Sequence, residues 1–178
     1  MTNFAGLPSY FWFTSSPPKE SAQGDVAYTT AALKQDLFRV ERAWEDCQSN
    51  RSRDAIYSYL NAVFSLVAWW EADKRPHERA RKALRLQHLG SFDHEDPFAA
   101  IIRCTSDPSK VDKRSRSKWS RVLRYALKYK SASELLDQFV KRKGGINKCA
   151  ARFAHYLGRF RSKRNPVSRT KKMGDLGK

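Results

Sequence analysis

Residues 112–130, DKRSRSKWSRVLRYALKYK, decide the fold. At 100° per residue, Trp119, Val122, Leu123, Ala126 and Leu127 fall on one side of a helix over this stretch, and Arg114, Lys118, Arg121, Arg124 and Lys128 on the other. Tyr125 and Tyr129 flank the basic stripe. The strict alternation of a half-buried strand is absent. The pattern is an amphipathic helix with one face in a core and one face of guanidinium and ammonium groups. Solvated helix faces normally mix charge signs, yet no acid lies between Asp112 and Glu134. A one-signed stripe of this kind is the footprint of a surface that meets phosphates.

Helical spacing continues toward the C-terminus. Ser131-x-x-Glu134 has the form of a capping box opening a helix with Leu135, Leu136, Phe139 and Val140 on its buried side. Gly144-Gly145 is expected to end it, and a further helix follows with Ile146, Ala150, Phe153 and Leu157 on one stripe and Gly158 as its stop. Lys148, Arg152, His155 and Arg159 lie opposite that stripe, and Asn147 stands at the N-terminal edge as a candidate cap. Two helices joined by a tight Gly-containing turn, the second with a polar-basic outward face, form the helix-turn-helix plan. Residues 133–158, SELLDQFVKRKGGINKCAARFAHYLG, resemble the factor-for-inversion type of helix-turn-helix, in Gly145, Ala150, Ala151, Leu157 and Gly158. Gly144 doubles the turn, and Phe153-Ala154-His155-Tyr156 makes the second helix longer and more aromatic than that pattern. The resemblance implies that Asn147, Lys148, Arg152 and His155 face base edges while the preceding helix lies across the backbone.

Working back toward the N-terminus, the chain stays helical. Thr29 or Thr30 can cap a helix carrying Leu33, Leu37, Val40, Trp44 and Cys47. Ser52 can cap the next, which is apolar nearly all round over Ala55–Trp70 and so belongs at the centre of a bundle. Pro76 suits a first helical position, leading to a stop at Gly90, and Asp96-Pro97 and Asp107-Pro108 read as two more cap-plus-proline starts. The expected fold class is all-α, a multi-helix bundle with a basic C-terminal helix-turn-helix-like region. The expected divisions are an aromatic, Pro-containing arm over 1–30, a charge-neutral helical body over 31–105, a basic region over 106–160 and a flexible basic tail over 161–178. Arg161 and Lys163 in that tail join the candidate phosphate contacts. The Tyr10-Phe11-Trp12-Phe13 cluster of the arm is expected to fold over the core or dock on a partner.

Charge follows the same division. Of 178 residues with a formal net charge of +17, residues 101–178 carry 23 Lys/Arg against 5 Asp/Glu, while 31–100 balance eleven against eleven. A half-chain this basic repels itself unless a polyanion is near. The sixteen residues of Ala55–Trp70 are broken by Ser58, Asn61 and Ser65 and fall short of the ~20 apolar residues of a span, so no membrane role is expected. Cys47, Cys104 and Cys149 show no paired spacing, which fits free thiols and a cytoplasmic location. His94 lies in an acidic loop without a second ligand pair, and His77 and His88 read as solvent-facing; no metal and no cofactor is expected. Walker, nucleophile-elbow and HExxH motifs are absent, and the basic half lacks the clustered carboxylates of a metal-dependent nuclease, so an enzyme is not expected.

These readings converge on a non-enzymatic nucleic-acid-binding protein, DNA favoured over RNA, acting as a bacterial, plasmid or phage regulator, with a homodimer interface in its neutral half. The alternatives are an RNA-binding protein whose Tyr125, Tyr129, Phe153 and Tyr156 stack on unpaired bases, and an adaptor or inhibitor whose basic face meets an acidic protein.

Overall fold

The computed structural model describes residues 28–50, 52, 54–90 and 96–164, with side chains as far as 157. Among those residues are seven helices and no strand: α1 (Thr30–Ser49), α2 (Ala55–Ala72), α3 (Pro76–Leu86), α4 (Pro97–Thr105), α5 (Lys113–Tyr129), α6 (Leu136–Arg142) and α7 (Gly145–Arg164). The aromatic cluster near residue 12, the acidic loop holding His94 and the tail beyond 164 lie outside the described residues.

Local chemistry explains most of the helix ends. Thr29 Oγ1 accepts from the Ala32 amide at 3.1 Å and starts α1. Asp96 Oδ1 accepts from the Phe98 amide at 3.3 Å, with Pro97 in the first turn of α4, and Pro76 opens α3. Other ends differ from expectation. Ser52 shapes the turn before α2 instead of capping it: its Oγ accepts from the Asp54 amide at 3.3 Å, and Asp54 takes the cap position. Gly90 is not the stop of α3. His88 turns left-handed at φ 53°, and the Leu89 amide closes on the Leu84 carbonyl at 2.8 Å, the Schellman closure usually given to glycine. Asp107-Pro108 begins a single turn, held by Ser109 on the Asp107 carboxylate. The cap of α5 is Asp112, which accepts from the Ser115 amide at 2.7 Å.

Apolar stripes from six helices, α1 to α6, meet with the first turns of α7 in one core that runs from Leu33 to Ala150. α2 supplies its centre, with Tyr59, Leu60, Val63, Val67 and Trp70 fully buried. Trp44 and Tyr59 meet edge to face at 5.1 Å, and Trp119 of α5 lies 6.1 Å from both rings. The Tyr59 hydroxyl bonds Thr105 Oγ1 at 3.0 Å, so the polar end of the ring stays satisfied where water is excluded. Burial pushes the Tyr59 phenol well above its ordinary range. Trp119, Val122, Leu123 and Ala126 thereby join α5 to the same core as α1 and α2. At about 1.5–3 kcal/mol for each large buried apolar side chain, this shared core anchors the basic helix to the neutral body. Leu127, expected on the buried side, is 39% exposed at the margin of that face, and Leu135 is 60% exposed.

No helix of the described residues is long and apolar enough to cross a membrane. Cys47, Cys104 and Cys149 are free thiols, and burial pushes the Cys149 thiol up.

Candidate nucleic-acid interface

The C-terminal unit is built by α5, a short α6 and α7, and α5 packs more closely on α7 than on any other element. The Ser131-x-x-Glu134 box does not form. α6 begins at Leu136 with Leu135 in the cap position and no side-chain cap. Glu134 instead takes both guanidinium arms of Arg142, Nε and Nη2, each at 2.8 Å. This two-pronged pair holds the Glu134 carboxyl below its usual range and neutralises Arg142 locally. The i,i+8 reach across α6 outcompeted the local cap.

Lys143 and Gly144 make the whole turn between α6 and α7. Gly144 has φ 91° and Gly145 φ 87°. A Cβ on Gly144 would stand 2.5 Å from Lys148 Cδ, so the aliphatic stem of Lys148 lies back over the turn. Asn147 falls inside the first turn of α7, which starts at Gly145, so it is not the cap. Gly158 does not stop the helix either, since α7 continues to Arg164. Gly costs a helix interior only about 1 kcal/mol, which flanking residues of good propensity can absorb. Beneath the turn, the Cys149 thiol points at the Val140 carbonyl, 3.9 Å away.

The predicted cations divide into two kinds. Arg114, Lys118, Arg121 and Lys128 on α5, with Lys148 and Arg152 on α7, make no salt bridge among the described residues. Arg121 bonds its own helix, at the Ser117 carbonyl, 3.2 Å. Lys148, His155 and Asn147 are exposed. Arg159, Arg161 and Lys163 lie on the α7 backbone, their side chains outside the described set. Arg124, and Lys128 and Arg152 despite lacking a carboxylate, already have work inside the molecule. Arg124 stacks on Phe153 of α7 at 4.8 Å, with its Nε 3.9 Å from Asp96. Lys128 donates to the Tyr156 hydroxyl and sits 3.6 Å from that ring's centroid; the hydrogen bond lifts the ammonium above its ordinary value. Arg152 Nη1 donates to the Lys143 carbonyl at 2.8 Å, satisfying the orphaned end of α6.

The contacts Arg124–Phe153 and Lys128–Tyr156 advance in the same sense, about one turn along each helix, so the basic stripe of α5 runs along the aromatic edge of α7. Tyr129, 45% exposed, lies edge-on to Tyr156 at 6.5 Å and tilted to Tyr125 at 4.8 Å. Asp96 fastens the other edge. It caps α4, accepts from Ser120 Oγ of α5 and faces Arg124, and burial pushes its carboxyl up. Sequence reasoning found its cap role but not this bridge, which no spacing rule encodes. It also passed over Lys113, exposed and within about 60° of Arg124 and Lys128 on the helix wheel; the plain count of cations in 112–130 marks it.

No group of three or more His, Cys, Asp and Glu residues able to hold a metal ion occurs among the described residues. Compared with protein families, curated proteins and solved structures, the chain shows no match.

Proposed function

We propose that this chain binds nucleic acid, duplex DNA in preference to RNA, and does so without catalysing a reaction on it. One observation carries the reading: among the described residues Arg114, Lys118, Arg121 and Lys128 of α5 and Lys148 and Arg152 of α7 have no carboxylate partner, while Lys141 and Arg142 of the neighbouring α6 are paired with Asp54, Asp137 and Glu134. A folded protein gains nothing from adjacent unpaired like charges unless an anion neutralises them.

On this reading α6, the two-residue turn and α7 act as a helix-turn-helix with α5 packed behind, and α7 enters the major groove. Asn147, Lys148 and His155 then stand nearest the base edges. Arg152 is tethered to Lys143 and contributes its remaining donors. Arg114, Lys118, Arg121 and Lys128 lie along phosphates, where they position without reading sequence. Arg159, Arg161 and Lys163 add positive charge in the last turns of α7. Binding of this kind fits a bacterial, plasmid or phage regulator.

Fluorescence anisotropy with a random duplex, an equal-length single strand and a hairpin RNA tests the proposal. Tightest binding to duplex supports it. Tightest binding to the single strand or the RNA favours a second reading, for which Tyr129 and Tyr156 beside Lys128 give specific ground as a stacking surface for unpaired bases. Absence of binding to all three overturns both and leaves the basic face to an acidic protein.

A further inference from the structure

A second surface lies on α1 and α3 and does not use α5–α7. Phe38 is 59% exposed. It borders an open groove of about 460 Å³ lined also by Lys34, Leu37, Glu41, Leu86 and Gln87. Leu37 is buried and Leu86 packs on the core, so the groove has an apolar floor and a charged rim. Phe38 thus leaves an aromatic ring in water beside an apolar groove.

The charges around Phe38 state what covers it. On the α1 wheel, Lys34 and Glu41 lie about 40° and 60° to one side of Phe38, and Arg42 and Gln35 lie about 40° and 60° to the other. Lys34 stands one turn before Phe38 and Glu41 one turn after. A two-fold axis perpendicular to α1 at Phe38 reverses the helix direction and keeps each lateral edge beside its own copy. It therefore sets Lys34 against the partner's Glu41, and by symmetry Glu41 against the partner's Lys34. On the opposite edge Gln35 meets the partner's Arg42. A parallel pairing exchanges the edges: it leaves Lys34 against the partner's Gln35 and sets Glu41 against the partner's Arg42, which already faces Glu45 at 3.8 Å. Only the antiparallel orientation pairs both charged residues of the groove rim, Lys34 and Glu41, with each other.

We propose that two copies of this chain pair antiparallel through α1, the two Phe38 rings packing on one another beside the grooves that Leu37 and Leu86 floor. An interface of one helix and a groove rim lies at the small end of specific contacts, so the dimer is reversible and depends on concentration. Glu41 already accepts from Gln87 Nε2 at 3.1 Å, which holds the carboxylate at the rim facing out.

Sedimentation velocity on the full-length, nucleic-acid-free protein across a concentration series tests this. The expected result is a monomer at low concentration that becomes a dimer as concentration rises, and a monomer throughout for Phe38→Asp. Lys34→Glu alone and Glu41→Lys alone each weaken the dimer by about tenfold or more, because two attractive pairs become two repulsive ones. The double variant K34E/E41K restores it, since the pairs are only exchanged. All three substituted positions are exposed or half-exposed, and unchanged helical circular dichroism confirms the fold of each of the four variants. A wild type monomeric at every concentration overturns the proposal. So does self-association that ignores Phe38→Asp, or a double variant no better than the singles. None of these outcomes bears on nucleic-acid binding, which is read separately.

Discussion

Removing two unpaired cations should change the salt dependence of nucleic-acid binding, and removing two paired ones should not. Six predicted contacts carry no salt bridge among the described residues: Arg114, Lys118, Arg121, Lys128, Lys148 and Arg152. With about 0.9 counterions released per neutralised phosphate, six contacts give a log–log slope of about −5.4 on duplex DNA, a loss of about 2,000-fold between roughly 50 and 200 mM salt. The basic residues of the tail add to this equally in every variant, so differences between variants are diagnostic. Arg114→Ala with Arg121→Ala removes two such contacts and should bring the slope to about −3.6, a loss nearer 150-fold over the same range. Lys141→Ala with Arg142→Ala removes the same two charges from a chain of net +17, but from cations already held by Asp54, Asp137 and Glu134. Its slope should stay near the wild-type value. Anisotropy titrations on one random duplex at four or more salt concentrations measure all three slopes. An equal fall in both double variants would show that total charge, not the seam of α5 and α7, drives binding, and the site reasoning would be refuted.

Four further outcomes are expected. Gly144→Ala should cost about 1–2 kcal/mol in urea unfolding, since an L-residue is forced to φ 91° against Lys148; a neutral result would mean the turn can be rebuilt. Lys74→Gly and His88→Gly should each stabilise by about 0.5–1 kcal/mol, because both residues hold a left-handed conformation, at φ 56° and 53°, that glycine adopts without strain. Arg124→Ala should cost about 1 kcal/mol through loss of its Phe153 and Asp96 contacts, whereas Arg121→Ala stays within about 0.5 kcal/mol; equal melting temperatures would contradict the division of the two cations. Burial raises the folded-state pKa of Asp96 above its unfolded value, so its contribution is fully present below the unfolded value and is lost as pH rises through the folded one. Stability relative to Asp96→Asn should therefore decline with rising pH in that window, and an increase would mean that its contacts with Ser120 and Arg124 outweigh desolvation.

The all-helical class and the buried stripes of α1, α2 and α5 were legible because spacing of three and four residues is a local property that burial enforces. Thr29, Pro76 and Asp96 were legible for the same reason: each acts within its own helix end. Where two local signals competed, the sequence could not say which wins. Glu134 was free to cap α6 or to grip Arg142, and the two-pronged ion pair prevailed. Asp107-Pro108 reads as a helix start, but it forms a turn closed by Ser109 and the helix begins at its cap, Asp112, instead. At the candidate interface a helix wheel assigns each cation to a face but not to a neighbour. Arg124 and Lys128 look identical to Arg121 on the wheel. Only the packing of α7 against α5 puts Phe153 and Tyr156 beneath the first two.

That packing has an entropic consequence. A free lysine or arginine side chain carries about 2 kcal/mol of rotamer freedom, and an exposed residue such as Arg114 keeps it until a ligand fixes the chain. Lys128 and Arg124 have surrendered much of theirs to aromatic rings during folding. An anion docking at the seam meets two charges already held in place and a fringe of loose ones around them. The fixed pair sets where a ligand sits, and the loose fringe sets how tightly it holds as salt changes.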